Sequence, residues 1–346
     1  MTSQKTKNYN QGKIIESIEG LGLQGSQALK EVSKIRLPKS FFSVNKIIVA
    51  GMGGSTIGTD LIRMVFADKL KIFIEIINDY RLPAYADKKT LVVVSSYSGN
   101  TEEVIAVFKE GLKKKQPLFV ITTGGRLARL AIKHKIPAYI FEPVYNPSNQ
   151  PRMGLGYSIF SQLELFRRIG AVNISRLEIV RALAFAEKAL RGFYKKNPAQ
   201  NLAGKIFGKT PVFFSSAYFS GNAHILCNQI NENAKNFAVY YSFPELNHHL
   251  LEGLTHPAKM KNLIFISLES ELDRPEIKKR QQATKKILKK KKLNFFALKL
   301  AGPDIFSQSL WLLILGGHLS FCLAVMNREK PHLIPWVDFL KKELAK

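Results

Sequence analysis

Lys46-Ile47-Ile48-Val49-Ala50-Gly51-Met52-Gly53-Gly54-Ser55-Thr56 is a short apolar run that stops in glycines and hydroxyls just before a helical pattern begins. Leu91-Val92-Val93-Val94 behaves the same way and ends in Ser95-Ser96-Tyr97-Ser98-Gly99-Asn100-Thr101. β-Branched runs suit strands. A parallel strand that breaks into small polar residues at a helix start offers free backbone N–H groups and the positive helix end to an anion. Two such turns, each with hydroxyls, point to a phosphorylated small molecule. Capping by Thr101, with Glu102 and Glu103 in the first turn, is the plain alternative. It explains one hydroxyl; it does not explain a cluster, nor the second turn at Gly53-Gly54-Ser55.

Working outward, apolar runs predict strands over 46–50, 72–77, 91–95, 118–122 and 138–141, with helices over 57–66, 102–114 and 127–134 between them. Strands separated by crossover helices imply a parallel sheet with both faces covered. Ligands in such sheets bind beyond the carboxyl ends of the strands. Thr122-Thr123-Gly124-Gly125 is a third turn of the same style. No G-x-x-x-x-G-K-[ST] loop occurs, and the dinucleotide fingerprint that Gly51 and Gly53 begin fails at Thr56.

The turn-rich stretch Tyr145-Asn146-Pro147-Ser148-Asn149-Gln150-Pro151 predicts a domain boundary. Beyond it come helices over 152–169 and 177–195, then a second α/β unit beginning at Pro211-Val212-Phe213-Phe214-Ser215-Ser216. This strand, serine turn and helix (222–235) repeat the style of the first half, and strands over 237–241, 263–268 and 295–300 follow. The expected class is therefore α/β, with two domains, each a parallel β-sheet flanked by helices. The organisation reads as an N-terminal helical arm (1–40) packing on the first domain, a first domain (41–150), and a second domain (151–346) ending in a C-terminal helix.

The 346 residues exceed the usual size of a single core, and 46% hydrophobic content is that of an ordinary globular protein. The formal charge of +26 admits nucleic-acid or anionic-membrane binding. The basic residues are spread along the chain, however, and the densest run, 285–292, suits a solvated helix face, so neither partner is expected. Cys227 and Cys322 sit far apart in apolar helical contexts and read as buried thiols without a disulfide framework or metal spacing. The N-terminus lacks an apolar signal segment, and Trp311 to Met326 reads as a buried core helix, so a cytoplasmic location is expected.

Three further stretches carry chemistry. Arg152, at a helix start, is badly placed for the helix dipole and is either a surface cation or a group facing an anionic ligand or developing oxyanion. Asn228-Gln229-Ile230-Asn231-Glu232-Asn233 surrounds one carboxylate with amides, at an exposed helix end or around a base for a proton α to a carbonyl. Pro244-Glu245-Leu246-Asn247-His248-His249 presents adjacent histidines without metal-ligand spacing; a proton carrier is the better functional reading.

Together, Gly51-Met52-Gly53-Gly54-Ser55, Ser96-Tyr97-Ser98-Gly99-Asn100-Thr101, Pro151-Arg152-Met153-Gly154, Asn231-Glu232-Asn233, Pro244-Glu245-Leu246-Asn247-His248 and Asp338-Phe339-Leu340-Lys341 resemble the bifunctional phosphoglucose/phosphomannose isomerase family, built from two sugar-isomerase (SIS) domains. The resemblance spans nearly the whole chain. It implies an aldose–ketose isomerase interconverting glucose 6-phosphate, and mannose 6-phosphate where accepted, with fructose 6-phosphate. Gly54, Ser55, Ser96, Ser98 and Thr101 would hold the phosphate. Glu232 would move a proton between C1 and C2 through a cis-enediolate, and Arg152 would stabilise that intermediate. His248, from the partner in a homodimer, and Lys341 (Lys342 being the weaker match) would assist ring opening. No metal or organic cofactor is implied. A phosphosugar-sensing SIS protein, or another SIS isomerase, is the alternative. Where the family commonly carries D-P-T-P before the last helix, this chain has Lys330-Pro331-His332-Leu333, a departure that bears on dual specificity.

Overall fold

The structure is a computed structural model and describes residues 8–257 and 260–344, with the side chains of 194–196 left out. The chain forms two compact units, Gly20–Ala184 and a second made of Met1–Glu19 with Phe185–Lys346.

In the first unit, β1 (Lys46–Ala50), β2 (Phe73–Ile77), β3 (Thr90–Ser95), β4 (Leu118–Thr122) and β5 (Ala138–Ile140) form one sheet in the order β2-β1-β3-β4-β5, and every pairing is parallel. All six residues of β3 are buried, as expected of a central strand covered on both faces. Ile48, Val92, Val94 and Val120 pack with Val104, Val107 and Phe108 of helix Glu102–Lys113 and with Leu127 of helix Gly125–Lys133. Helices Leu21–Val32, Gly54–Val65 and Leu155–Arg168 also pack in this unit, the third against each of the first two.

Chain order reverses between β1 and β3, since β1 leads to β2 on one side while β3 lies on the other. That switch point opens a crevice at the carboxyl ends of those two strands. The turns after β1 and β3 are the two hydroxyl-rich turns of the sequence.

The second unit repeats the plan. β6 (Thr210–Ser215), β7 (Val239–Ser242), β8 (Leu263–Glu269) and β9 (Phe295–Lys299) form a parallel sheet in the order β7-β6-β8-β9. The switch here falls between β6 and β8, so the internal repeat is one of topology. Val212, Phe214 and Phe265 face Leu288 of helix Pro275–Lys290, whereas helices Ser220–Ala234 and Ile305–Asn327 pack on each other. Ile305–Asn327 is long and apolar enough to cross a membrane by composition, but 83% of its apolar window is buried in the fold. It is a core helix.

The units divide differently from the sequence-based expectation of 1–40, 41–150 and 151–346. The turn-rich 145–151 stretch is internal to the first unit, and helix Leu155–Arg168 belongs with the first sheet. The division falls inside helix Arg176–Lys196, after Ala184. The arm is also split: Leu21–Val32 belongs to the first unit, while Ile14–Glu19 packs on Ile305–Asn327, where Ile18 leaves no room for a Cβ at Gly317.

Candidate active site

The turn after β1 is built for close approach. A Cβ on Gly51 would lie 2.6 Å from the Ser95 carbonyl oxygen, and Gly53 takes φ +50 at the cap of helix Gly54–Val65, a conformation that favours glycine. Ser55 follows in the first turn of that helix, 8% exposed. Its hydroxyl accepts from the Tyr97 amide at 3.2 Å, which ties the turn after β1 to the turn after β3.

The second turn bears on the capping alternative. Thr101 occupies the cap position of helix Glu102–Lys113, yet its side chain makes no bond to the helix. Its Oγ1 stands 2.8 Å from Ser96 Oγ instead. Ser96 Oγ also accepts from Gly99 N at 3.1 Å, and Ser98 Oγ from Asn100 N at 3.3 Å. Ser96 is buried and Ser98 exposed. Gly99 has φ +66, and a Cβ there would collide with the Gly124 carbonyl of the third turn, which is further held by Thr123 donating to Tyr97 O. A small cleft is lined by Gly54, Ser55, Ser95, Tyr97, Phe141 and Tyr157 among others. Burial pushes the Tyr97 phenol up to about 12, partly opposed by a hydrogen bond from Asn146, so it remains a neutral hydroxyl at physiological pH.

Arg152 belongs with these turns. It is 6% exposed in a 3₁₀ turn over Pro151–Met153, and its Nη1 donates to Gln150 Oε1 at 2.9 Å. A Cβ on Gly54 would sit 3.1 Å from the Pro151 oxygen and 3.4 Å from the Arg152 nitrogen, so the glycine admits the arginine-bearing turn beside Ser55. The surface-cation reading is thereby set aside, as is the grouping of Arg152 with the second domain.

The remaining candidates lie on three elements of the second unit. Glu232 is half-buried in the last turn of helix Ser220–Ala234. Its amide neighbours lock the helix end. Asn231 Oδ1 accepts from Ala238 N at 2.9 Å, Asn233 Nδ2 donates to Ser320 Oγ at 2.9 Å, and Asn327 Nδ2 donates to Ala234 O at 2.9 Å. Lys235, left-handed at the cap, donates to Lys330 O at 2.7 Å and so joins this end to the segment leading into helix Pro335–Leu344. His248 is exposed in the 3₁₀ turn Glu245–His248, and its side chain makes no hydrogen bond among the described residues. Leu246 anchors that turn in the core, Asn247 donates to Thr284 at 2.8 Å, and His249 pairs with Glu245 at 2.9 Å. Only one of the two histidines is thus left open. Lys341 and Lys342 are exposed on helix Pro335–Leu344. Among the described residues no group of three or more His, Cys, Asp or Glu could hold a metal ion.

Residues 195–344 match the bacterial phospho-glucose isomerase C-terminal SIS domain. Over 344 residues the chain is 32% identical to the bifunctional phosphoglucose/phosphomannose isomerase of Caldicellulosiruptor bescii, covering 96% of this chain and 99% of that one. The chain belongs to the bifunctional phosphoglucose/phosphomannose isomerase family. The family member of Thermoplasma volcanium is 30% identical over 319 residues, covering 90% of this chain and 96% of that one. At the level of fold, the C-terminal domain of glucosamine-fructose-6-phosphate aminotransferase from Francisella tularensis is similar with TM-score 0.67 at 15% identity, covering 91% of this chain and 94% of that one.

Within this family member, sequence reasoning missed the side chains that hold the site. Gln24 bonds the backbone around Arg152, Asn146 joins Tyr97, and Gln162, Ser158 and Thr59 form a buried chain onto the Ser55 carbonyl. Their partners are mostly backbone atoms remote in sequence, which leave no motif.

Proposed function

We propose that the protein is an aldose–ketose isomerase that interconverts glucose 6-phosphate and fructose 6-phosphate, and that it acts on mannose 6-phosphate by the same route. The observation that carries this reading is the Thr101 hydroxyl, withdrawn from its own helix and set 2.8 Å from Ser96 at the switch point of the first sheet. Membership of the isomerase family supports it.

Gly54, Ser55, Ser96, Ser98 and Thr101 hold the phosphate, whose charge is further favoured by the N-termini of helices Gly54–Val65 and Glu102–Lys113. Once the ring is open, the Glu232 carboxylate takes the proton from C2 of the aldose as the C1 carbonyl oxygen gains negative charge, giving a cis-enediolate. The proton on the C2 hydroxyl passes to the C1 oxygen, the same carboxyl returns the carbon-bound proton to C1, and the C2 carbonyl of the ketose forms. Arg152 stabilises the enediolate charge. His248 and Lys341 transfer the protons of ring opening. Acid–base groups suffice for each step. The exposure of His248 supports its use across a homodimer interface.

The test is a coupled assay of fructose 6-phosphate formation from each aldose phosphate. Turnover of glucose 6-phosphate supports the reading, and binding of both sugars without turnover would make the chain a sensor. The mannose arm addresses His332, which packs so closely on Gly12 that a Cβ there would come within 2.3 Å of its own. His332→Thr should raise turnover of mannose 6-phosphate relative to glucose 6-phosphate if this position selects the sugar.

A further inference from the structure

The loop that carries Arg152 is held near both ends by one side chain. Gln24, on helix Leu21–Val32, is 0% exposed. Its Nε2 donates to Tyr145 O and to Met153 O, each at 3.0 Å, and its Oε1 accepts from Gly156 N at 3.0 Å. Both amide hydrogens and the carbonyl are therefore committed to this loop and to the helix that follows it.

The middle of the loop is anchored separately. Asn146, 2% exposed, donates through Nδ2 to Tyr97 OH at 2.8 Å and to Gln150 O at 3.0 Å. Its Oδ1 accepts from Ser148 Oγ at 2.7 Å. Gln150 in turn accepts from the Arg152 guanidinium at 2.9 Å. There is little slack: a Cβ on Gly156 would come within 2.6 Å of Gln24 Cβ, and one on Gly154 within 2.8 Å of the Tyr97 ring.

We infer that Gln24 is a positioning residue for Arg152, fixing the 145–153 loop so that the guanidinium is already placed when negative charge develops on the substrate. This rests on the isomerase reading. A buried amide could be there for stability alone. Three bonds from one side chain to the two flanks of a single arginine, joined through Asn146 to the phosphate turn, describe instead a clamp on that arginine. Preorganised charge is sensitive to placement, and a shift of ~1 Å can cost about 100-fold in rate.

The test uses the full chain with Gln24→Leu, Gln24→Glu and, from the other anchor, Tyr97→Phe, each alone and combined with Arg152→Ala. The expected result is a kcat lower by about 10- to 100-fold, with the inhibition constant of inorganic phosphate changed by less than about twofold. In the Arg152→Ala background the same substitution should change kcat by less than about twofold, because both act through one group. An equal loss in that background, or a folded Gln24→Leu enzyme with normal kcat, would overturn the proposal. Should Gln24→Leu fail to fold, Gln24→Glu, which keeps the volume and the acceptor for Gly156 N but loses both amide donors, carries the same comparison. Amide hydrogen exchange provides a readout independent of activity. Asn149, Met153 and Gly154 should exchange faster in a folded Gln24 variant, and unchanged protection contradicts the clamp. A wild-type protein that isomerises neither sugar phosphate defeats the isomerase reading by itself, whatever the exchange data show.

Discussion

Ser96 Oγ and Thr101 Oγ1 face each other at 2.8 Å across the turn after β3, and Thr101 leaves its own helix uncapped. A hydroxyl at a cap position that does not cap has given up a bond worth about 1 kcal/mol. The pair, with Ser55 joined to the same turn through Tyr97 N, forms a set of donors at a helix start.

Thr101→Val should therefore separate binding from stability. The shape is kept and no cap bond is lost, so stability should fall only by the lost Ser96–Thr101 bond, about 1 kcal/mol. Removing a hydrogen bond to a charged phosphate costs roughly 1.5–3 kcal/mol, so KM should rise about 10- to 100-fold with kcat little changed. Steady-state kinetics with a thermal melt checks this; a melt lowered with unchanged KM would restore the capping explanation.

Gly99→Ala tests the geometry of the same turn. It forces a side chain into φ +66 and against the Gly124 carbonyl. Strain and overpacking together should destabilise the fold by on the order of 2–4 kcal/mol. Denaturant unfolding checks it, and a loss under about 0.5 kcal/mol, the range of ordinary surface substitutions, would show that the turns are not interlocked.

The fold was legible because β1 and β3 announce themselves twice, by β-branched runs and by the residues that end them. Gly51, Ser55 and Ser96 sit at carboxyl ends whether or not the strand order is known. What escaped was long-range polar contact. Gln24 lies 129 residues from Met153, and nothing in a polar residue on an amphipathic helix shows that its partners are carbonyls that far away. The 145–151 stretch has the composition of a linker, yet Asn146 is buried and bonded to Tyr97. Turn residues mark a change of direction, and a strap folded back onto the site changes direction as often as a linker does. For the same reason the sequence does not show that Arg152 falls in the compact unit Gly20–Ala184.

A pH dependence follows from His318, which stacks on Phe193 at 5.9 Å in helix Ile305–Asn327. Burial lowers its pKa from 6.5 to about 4. Below 6.5 the unfolded chain binds a proton that the folded one refuses, so stability is full above about 6.5 and falls as the pH drops toward about 4. A shift of that size is worth on the order of 3 kcal/mol. Unfolding free energies of wild type and His318→Leu, measured across that range, should drift against the wild type by about this amount; a pH-independent difference would rule the titration out.

Glu232 carries the central step of the proposed reaction. Asn231 and Asn233 fix the helix end that carries it, and the proposed chemistry assigns it the only proton transfer between carbons. Glu232→Gln keeps the size of the side chain and one acceptor oxygen and removes the base. The decisive measurement is kcat for fructose 6-phosphate formation by this variant, alongside its affinity for inorganic phosphate and its melting curve. A kcat lower by about 100- to 10,000-fold, with phosphate affinity and melting unchanged, is the predicted result; near-normal turnover by a folded Glu232→Gln protein would contradict it.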